Sequence, residues 1–349
     1  MNNAITMGQR IRTLLIDDSA FMRKVIGDII TADAGIELVG TAANGKEGME
    51  LAASLQPDVV ITDMVMPEYD GMYVVHAVMK SRPVPVILLS SLEKTNLRIF
   101  DALQSGAFDF VDKPIGLDSE SLRDYPLRKL IHEAAQTDVD SLRVKTKAAA
   151  NRSNHTFESA LRYEIIVIGA STGGPGALEY ILSNLPSNLR IPVVIGQHMP
   201  ARFLESFAER LNNHNHLPVR MARNGDVLKG GIVYVVPGDQ NTCIVSGAGD
   251  IVFGHSTKQF SDFNNPSINC LFNSVADTYG GKTIGVILTG MGRDGVEGLK
   301  KIKDNGGFTI AQDEASCIVY GMPKVAVEQN AARQTVVLRE IPGFIISCL

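Results

Sequence analysis

The sequence lacks the features that mark several protein classes. No apolar run approaches the roughly 20 residues that span a bilayer, and the N-terminus lacks the basic-then-apolar layout of a secretory signal. The four cysteines form no C-x-x-C pair, so neither a zinc site nor a disulfide framework is indicated. No basic cluster is present and the net charge is −5, which disfavours nucleic-acid binding. The 349 residues are therefore expected to form a cytoplasmic protein of two domains, without membrane insertion.

Residues 1–136 alternate short apolar strands with amphipathic helices. This pattern predicts a five-stranded parallel sheet covered on both faces, in a flavodoxin-like doubly wound domain. The site of such a domain lies at the carboxyl ends of its strands. The predicted strands are 13–16, 37–40, 58–62, 86–89 and 108–111.

The alternation fades over residues 137–161, which are polar and lack a clear apolar face, and these residues are predicted to form a linker. It resumes over residues 162–349, which predict a second, mainly parallel doubly wound α/β domain. An antiparallel flap is predicted to interrupt this domain. Its expected strands are the short β-prone runs 232–236, 242–245 and 251–253, which glycine-rich turns separate.

Polar side chains end several predicted strands of the first domain. Asp17 and Asp18 follow the first strand, Asp63 the third, Ser90 ends the fourth and Lys113 follows the fifth. Each alone is usually a solvated turn or a helix cap, but strand ends on one edge of a parallel sheet converge. Three converging carboxylates repel one another unless a cation joins them, and their oxygens suit Mg²⁺. The set predicts a Mg²⁺ site at Asp17, Asp18 and Asp63, with Asp63 accepting a phosphoryl group.

The first domain also resembles a response-regulator receiver domain over residues 11–136. The residues that carry the resemblance are the acidic pair, Asp63 with Met66-Pro67 and Asp70-Gly71, the hydroxyl of Ser90, Phe110, and Lys113-Pro114. The resemblance implies that a histidine kinase donates a phosphoryl group to Asp63. It also implies that Ser90, Phe110 and Lys113 form the switch that responds to phosphorylation.

Ser171 follows an apolar strand on a glycine-rich turn, in the spacing Gly169-x-Ser171-x-Gly173 of a nucleophile elbow. A serine hydroxyl needs a base, and His198 ends the predicted strand 191–196. The base needs an orienting carboxylate, and Asp294 lies just past the predicted strand 283–288. These three residues predict a serine esterase triad. The backbone amides of Thr172 and Met291 are the candidate oxyanion donors.

Other interpretations of these residues exist. The glycine-rich turn is also compatible with a dinucleotide-binding site, but the G-x-G-x-x-G spacing is absent. Asp294 alone can serve as a cap of the helix predicted at 295–303. The chain offers other histidines as bases, at His214 and His216 in a polar loop and at His255 in the predicted flap. The order Ser, His, Asp differs from that of α/β-hydrolases, so the elbow spacing does not imply their fold.

The second domain resembles the catalytic domain of the chemotaxis protein-glutamate methylesterases, the CheB family. The motifs that carry the resemblance are Gly169-Ala-Ser-Thr-Gly-Gly-Pro175, Gln197-His-Met-Pro200, Gly285-Val-Ile-Leu-Thr-Gly-Met-Gly292 with Asp294-Gly295, and Ala311-Gln-Asp-Glu-Ala-Ser-Cys317. The family's serine, histidine and aspartate fall on Ser171, His198 and Asp294, and a family oxyanion donor falls on the amide of Met291. The resemblance implies hydrolysis of glutamyl methyl esters on methyl-accepting chemotaxis receptors, deamidation of receptor glutamines, and no cofactor for the esterase.

The chain departs from the family pattern at Asn241, Asn265 and Asn269, where the family has histidine, arginine and aspartate. We expect these departures to alter recognition of a charged receptor surface. The sequence disfavours two other functions. A non-catalytic phospho-dependent signalling adaptor would not need Ser171, His198 and Asp294 together, and a transcription factor would need a basic recognition helix that the sequence lacks.

Overall fold

A computed structural model describes residues 9–91, 96–114, 125–137, 162–247, 249–263 and 265–349. These residues form two compact units, one before and one after the segment 138–161. The predicted linker 137–161 lies outside the described residues except for Thr137, and the predicted domain boundaries stay predictions. None of the helices in the described ranges is long and apolar enough to cross a membrane.

The first unit is a five-stranded sheet in the order β2-β1-β3-β4-β5, and every neighbouring pair is parallel. This confirms the predicted flavodoxin-like sheet. The strands are β1 Ile11–Ile16, β2 Ile36–Ala42, β3 Val59–Asp63, β4 Val86–Ser90 and β5 Asp109–Asp112. The helices are α1 Ala20–Thr31, α2 Gly45–Leu55, α3 Gly71–Ser81, α4 Asn96–Gln104 and α5 Leu127–Ala134.

The burial of the strands fits a doubly wound sheet, and the order of the strands locates its ligand-binding crevice. Every residue of β3 and of β4 is buried, as expected for central parallel strands covered by helices on both faces. The strand order reverses between β1 and β3, and ligands of doubly wound sheets bind outside the carboxyl ends at that reversal. Asp17 and Asp18 follow β1 and Asp63 ends β3, so the three carboxylates lie at this crevice.

The second unit is a seven-stranded sheet in the order β14-β13-β12-β6-β7-β9-β8, again parallel throughout. Its strands are β6 Ile165–Ala170, β7 Val193–Gln197, β8 Val219–Met221, β9 Val233–Val235, β12 Thr283–Ile287, β13 Phe308–Gln312 and β14 Gln334–Val336. Its helices are α6 Gly174–Ser183, α7 Ala201–His214, α8 Ile268–Tyr279, α9 Val296–Asp304, α10 Met322–Glu328 and α11 Ile341–Cys348.

The predicted flap exists, but one of its three expected strands was wrong. The antiparallel pair is β10 Asn241–Ser246 with β11 Ile251–Ser256. The run 232–236 instead contains β9, which lies in the main sheet between β7 and β8 and is parallel to both. All three residues of β9 are buried, which suits an interior parallel strand. The flap packs on α8, where the Ile244 amide donates to Ser274 Oγ at 2.9 Å.

Candidate functional site

Ser171 directly follows β6, in the middle of the second sheet. Its amide donates to the Thr289 carbonyl at 3.1 Å, and its carbonyl accepts from the Gly174 amide at 2.7 Å. Gly173 has φ of 78°, a left-handed conformation that glycine adopts without strain, and it caps the start of α6. The turn is therefore fixed by the β12 side of the sheet and by α6, and it holds Ser171 at the carboxyl end of the strands.

His198 follows β7 and lies beside Ser171. The strands β6 and β7 pair in register at Ala170 and Gln197, so Ser171 and His198 are the next residues on strands about 4.8 Å apart. The His198 amide donates to the Ala170 carbonyl at 2.9 Å. Gln197 Nε2 donates to the carbonyl of Ser171 at 3.0 Å and to that of His198 at 2.8 Å. The register and this side chain together bring the serine and the histidine to one place.

Asp294 contacts the imidazole of His198. Asp294 Oδ2 lies 2.8 Å from His198 Nε2, and both side chains are buried. An ionised carboxylate only accepts hydrogen bonds, so Nε2 donates to it. A neutral imidazole with its proton on Nε2 keeps Nδ1 as an acceptor. The histidine is thus oriented by a carboxylate on one ring nitrogen and can accept a proton on the other.

Asp294 is itself held by the N-terminus of α8. Its Oδ2 accepts from the Ile268 amide at 2.7 Å, and its Oδ1 accepts from the Asn269 amide at 3.0 Å and from Ser267 Oγ at 3.3 Å. The first amides of a helix have no partners inside the helix, and its positive end favours a negative charge. Asp294 also accepts from the Gly295 amide. The N-cap residue of α9 is Gly295 and not Asp294, so Asp294 contacts α9 only through this one amide. The carboxylate is therefore fixed mainly by α8.

The loop that carries Met291 packs directly on Ser171. An ideal Cβ on Gly290 would lie 2.6 Å from Ser171 Cβ, so only glycine permits this approach. Within the described ranges the Met291 amide donates to no other group, and the residue is half-buried. Thr172 is buried, and its carbonyl accepts from Thr289 Oγ1 at 3.0 Å. Both candidate oxyanion donors thus belong to segments that adjoin Ser171.

The first unit brings its acidic residues together as predicted. One carboxylate oxygen from each of Asp17, Asp18 and Asp63 lies within 4.8 Å of the others. Lys113 Nζ lies 2.6 Å from Asp17 Oδ2 and 2.8 Å from Asp63 Oδ2. Oxygen donors from carboxylates are the ligands that Mg²⁺ prefers, so these residues fit that ion.

The charges at this site perturb one another. Burial raises the pKa of Asp63 above its ordinary value, although Lys113 partly offsets the effect, and the neighbouring charge of Asp17 adds to it. Burial opposes the charge of Lys113, but hydrogen bonds to Asp17 and Asp63 outweigh it and raise the pKa of the ammonium group. A cation at the cluster would relieve the repulsion between the carboxylates.

Ser90 and Phe110 are the other expected switch residues. Ser90 lies on β4, the strand beside β3, and Phe110 lies on β5, one strand further from Asp63. Asp63 pairs with Leu89 across β3 and β4, so Ser90 is the next residue along, and it is buried. The Lys113 amide donates to the Ser90 carbonyl at 2.8 Å. Phe110 is half-buried on β5. The strand register therefore groups the hydroxyl and the lysine at the edge that carries Asp63.

Comparison with known proteins identifies both units. Residues 166–345 match the family model for the CheB methylesterase, and residues 13–124 match that for the response regulator receiver domain. The chain belongs to the CheB methylesterase family. It is 42% identical over 324 residues to a protein-glutamate methylesterase/protein-glutamine glutaminase of Archaeoglobus fulgidus, covering 91% of this chain and 92% of the relative. A Thermotoga maritima protein of the same name is 39% identical over 339 residues, covering 96% and 98%.

A solved structure supports the assignment of the second unit to this family. The crystal structure of the Thermotoga maritima CheB methylesterase catalytic domain has a TM-score of 0.52 and 39% identity, and the match covers 54% of this chain and 99% of that domain. The resemblances predicted from the sequence motifs, to the CheB family and to receiver domains, are thereby confirmed. A receiver unit and a methylesterase unit thus occur in one chain.

The departures from the CheB family motifs do not all lie on the surface. Asn241 and Asn269 are each 2% exposed, and only Asn265 is exposed. Asn269 Oδ1 accepts from the Gly298 amide at 3.0 Å, which ties α8 to α9. The buried side chains of Asn241 and Asn269 cannot touch a partner directly, so they could alter receptor recognition only through the loops and helices they hold, and the expected effect on recognition stays a prediction.

Several residues that shape the CheB site were missed by sequence reasoning. Gln197 brackets Ser171 and His198, and the amides of Ile268 and Asn269 hold Asp294. The sequence did contain a signal for Gln197, because this residue stands directly before His198 in the motif Gln197-His-Met-Pro200. The α8 contacts join residues 25 and 26 positions apart, and no local pattern reports them.

Proposed function

We propose that this chain is a phosphorylation-activated protein-glutamate methylesterase that acts on methyl-accepting chemotaxis receptors. The observation that carries the proposal is the buried contact between His198 Nε2 and Asp294 Oδ2 at the strand end next to Ser171. An adaptor that only binds a partner has no use for a buried imidazole–carboxylate pair beside a serine on a tight turn. Burying such a pair away from water is costly unless its polar atoms are satisfied.

In the proposed reaction Ser171 Oγ attacks the carbonyl carbon of a glutamyl methyl ester. His198 takes the serine proton, and Asp294 orients the imidazole and stabilises its charged form. The amides of Met291 and Thr172 donate to the oxyanion of the tetrahedral intermediate. The intermediate expels methanol, which takes its proton from His198, and leaves an acyl-enzyme. Water activated by His198 then hydrolyses the acyl-enzyme and restores the glutamate carboxylate and the serine.

The same residues support deamidation of receptor glutamines. The attack on a side-chain amide forms the same acyl-enzyme, and the leaving group is ammonia in place of methanol. The relatives named above are called both methylesterases and glutaminases, which supports assigning both reactions to this chain. The substrates would be glutamyl methyl esters and glutamines on the cytoplasmic part of the receptors.

The receiver unit would control this activity through Asp63. A histidine kinase is the phosphodonor, and the Asp63 carboxylate accepts the phosphoryl group. Asp17, Asp18 and Asp63 would hold a Mg²⁺ ion, which supplies positive charge against the phosphoryl oxygens when bound. Lys113 already pairs with Asp63 and would pair with the added phosphoryl group. Ser90 and Phe110 would respond to the new charge and change the output of the esterase.

Methanol release from methylated receptor membranes tests the proposal. Ser171→Ala and His198→Ala should each lower the rate on the order of 10⁴-fold or more, because the members of a triad act as a unit. Ser246→Ala and His216→Ala change exposed residues of the same types in the same unit and should leave the rate unchanged. Near-normal release by Ser171→Ala would refute its role as nucleophile. Wild-type protein that binds receptors but releases no methanol would instead support an adaptor.

A further inference from the structure

An aromatic ring covers one face of the His198 imidazole. The ring centroids of Phe263 and His198 lie 3.9 Å apart and the planes differ by 19°, so the two rings are stacked. Phe263 is 42% exposed, whereas the His198 side chain is 6% exposed. A phenylalanine with this much of its surface in water does not belong to the packed core of the unit. Its position against the imidazole therefore calls for another explanation than core packing.

A buried amide holds the loop that carries Phe263. Asn241 Oδ1 accepts from the amides of Asn265 and Ser267, at 2.9 Å each, and its Nδ2 donates to the Lys258 carbonyl at 3.0 Å. One side chain thus joins both ends of the segment 258–267. Because Asn241 is buried at the start of β10, the flap strand fixes the loop to the body of the unit.

A second set of contacts ties the same loop to the segment that carries Asp294. Asp262 Oδ1 lies 2.7 Å from Arg293 Nε, and Arg293 is the residue before Asp294. On the other side of Phe263, Ser267 Oγ donates to Asp294 Oδ1 at 3.3 Å. The loop is therefore attached to the residue before Asp294 on one side of Phe263 and to Asp294 itself on the other. Movement of the ring relative to the His198–Asp294 pair is restricted from both directions.

We propose that Phe263 is a positioning residue for His198, and that Asn241 holds it in place. The proposal rests on the function proposed above, in which His198 is the base. The hydrogen bond to Asp294 fixes one ring atom but leaves the imidazole free to tilt about that contact. A stacked ring removes this tilt and holds the imidazole plane fixed beside the turn that carries Ser171. Small errors in the placement of a catalytic group cost rate even when binding is unchanged.

The test compares Phe263→Ala, Phe263→Tyr and the matched control Phe344→Ala in the full chain. Phe344 lies on α11, is 36% exposed, and has no place in the proposed machinery. Two substrates are used, methylated receptor membranes and a short peptide with one γ-glutamyl methyl ester. Beyond the effect of burial, an aromatic pair favours its stacked arrangement by a factor of about 2 to 10 in the equilibrium constant. Phe263→Ala should therefore lower kcat about 2- to 10-fold on both substrates with KM nearly unchanged, and Phe263→Tyr should restore it.

Three results would overturn the proposal. The first is an unchanged kcat in Phe263→Ala. The second is a higher KM for receptors with no change in kcat, which would make Phe263 a receptor contact. The third is a lower kcat that Phe263→Tyr does not restore. Asn241→Ala provides a second arm, because it should lower kcat as Phe263→Ala does, and the double variant should be no slower than the slower single variant. Wild-type rates in Ser171→Ala and His198→Ala would refute the proposed function instead, so the two failures are distinguishable.

Discussion

Replacing Asp294 with asparagine should disable the esterase by changing the tautomer of His198. An asparagine has one acceptor oxygen where the carboxylate has two. If its amide nitrogen occupied the Oδ1 position, it would face the donating amides of Asn269 and Gly295. If it occupied the Oδ2 position, it would face the Ile268 amide and His198 Nε2. The first orientation leaves two backbone donors unsatisfied, and the second leaves one.

Each buried donor without a partner costs about 1–3 kcal/mol, so the second orientation should be favoured by that amount. In it, the asparagine donates to His198 Nε2, which must then be unprotonated. The imidazole proton moves to Nδ1, and the ring can no longer accept the proton of Ser171. The rate should fall on the order of 10⁴-fold, the scale associated with a wrong histidine tautomer in a serine triad. Stability should fall by about 1–3 kcal/mol, for the one unsatisfied Ile268 amide.

The assay is methanol release from methylated receptors, with urea unfolding measured on the same preparations. Asp277→Asn is the matched control, because Asp277 lies on α8 but its side chain is 66% exposed and pairs only at the surface with Lys301. An exposed pair of this kind contributes about 0–1 kcal/mol. A rate for Asp294→Asn within tenfold of wild type, in folded protein, would refute the tautomer argument. A large rate loss with unchanged stability would refute the count of unsatisfied amides.

The remaining predictions concern the receiver unit. A fragment of residues 163–349 should release methanol faster than resting full-length protein, if the receiver inhibits the esterase until it is phosphorylated; a slower fragment would exclude inhibition and favour activation by contact. Asp63→Asn should make methanol release insensitive to acetyl phosphate, whereas Asp58→Asn, which leaves Asp63 intact, should stay responsive. Because burial raises the pKa of Asp63, its ionised form destabilises the fold above the ordinary carboxyl pKa. In metal-free buffer Asp63→Asn should therefore raise the melting temperature of the receiver transition at neutral pH, and this gain should vanish as the pH falls below that ordinary value. An equal gain at all pH values would mean that the charge of Asp63 is not its cause.

The sequence predicted the parts of the fold that depend on local pattern. The apolar runs that became β1, β3, β4 and β6 are each followed by polar or glycine residues, and strand ends of this kind are visible without a structure. Ser171 and Asp63 were located for this reason. The run 232–236 was assigned to the wrong sheet because a short buried strand has the same composition whether its neighbours are parallel or antiparallel. Only the pairing of β9 with β7 and β8 decides that, and pairing is not local.

The parts of the site that the sequence did not predict depend on contacts between distant segments. Asn241 was seen as a departure from a family pattern, and its contacts to Asn265 and Ser267 span 24 and 26 residues. Its burial and these contacts make it a structural anchor, which the family comparison alone did not show. Phe263 gave no signal, because an isolated aromatic residue in a polar loop resembles any other surface aromatic. Stacking on His198 becomes visible only when the loop is placed in space.

The esterase site and the receiver site compensate negative charge in different ways, because different groups surround their carboxylates. Asp294 is surrounded by backbone amides of α8, a serine hydroxyl and the His198 N–H, so dipoles and hydrogen bonds compensate its charge locally. The receiver cluster has three carboxylates and one ammonium group, which gives −3 + 1 = −2 when all are ionised. A divalent cation matches that excess, and a phosphoryl group on Asp63 adds to it. The receiver site should therefore respond to ions and phosphorylation, whereas the compensated carboxylate of the esterase should keep its position throughout the reaction.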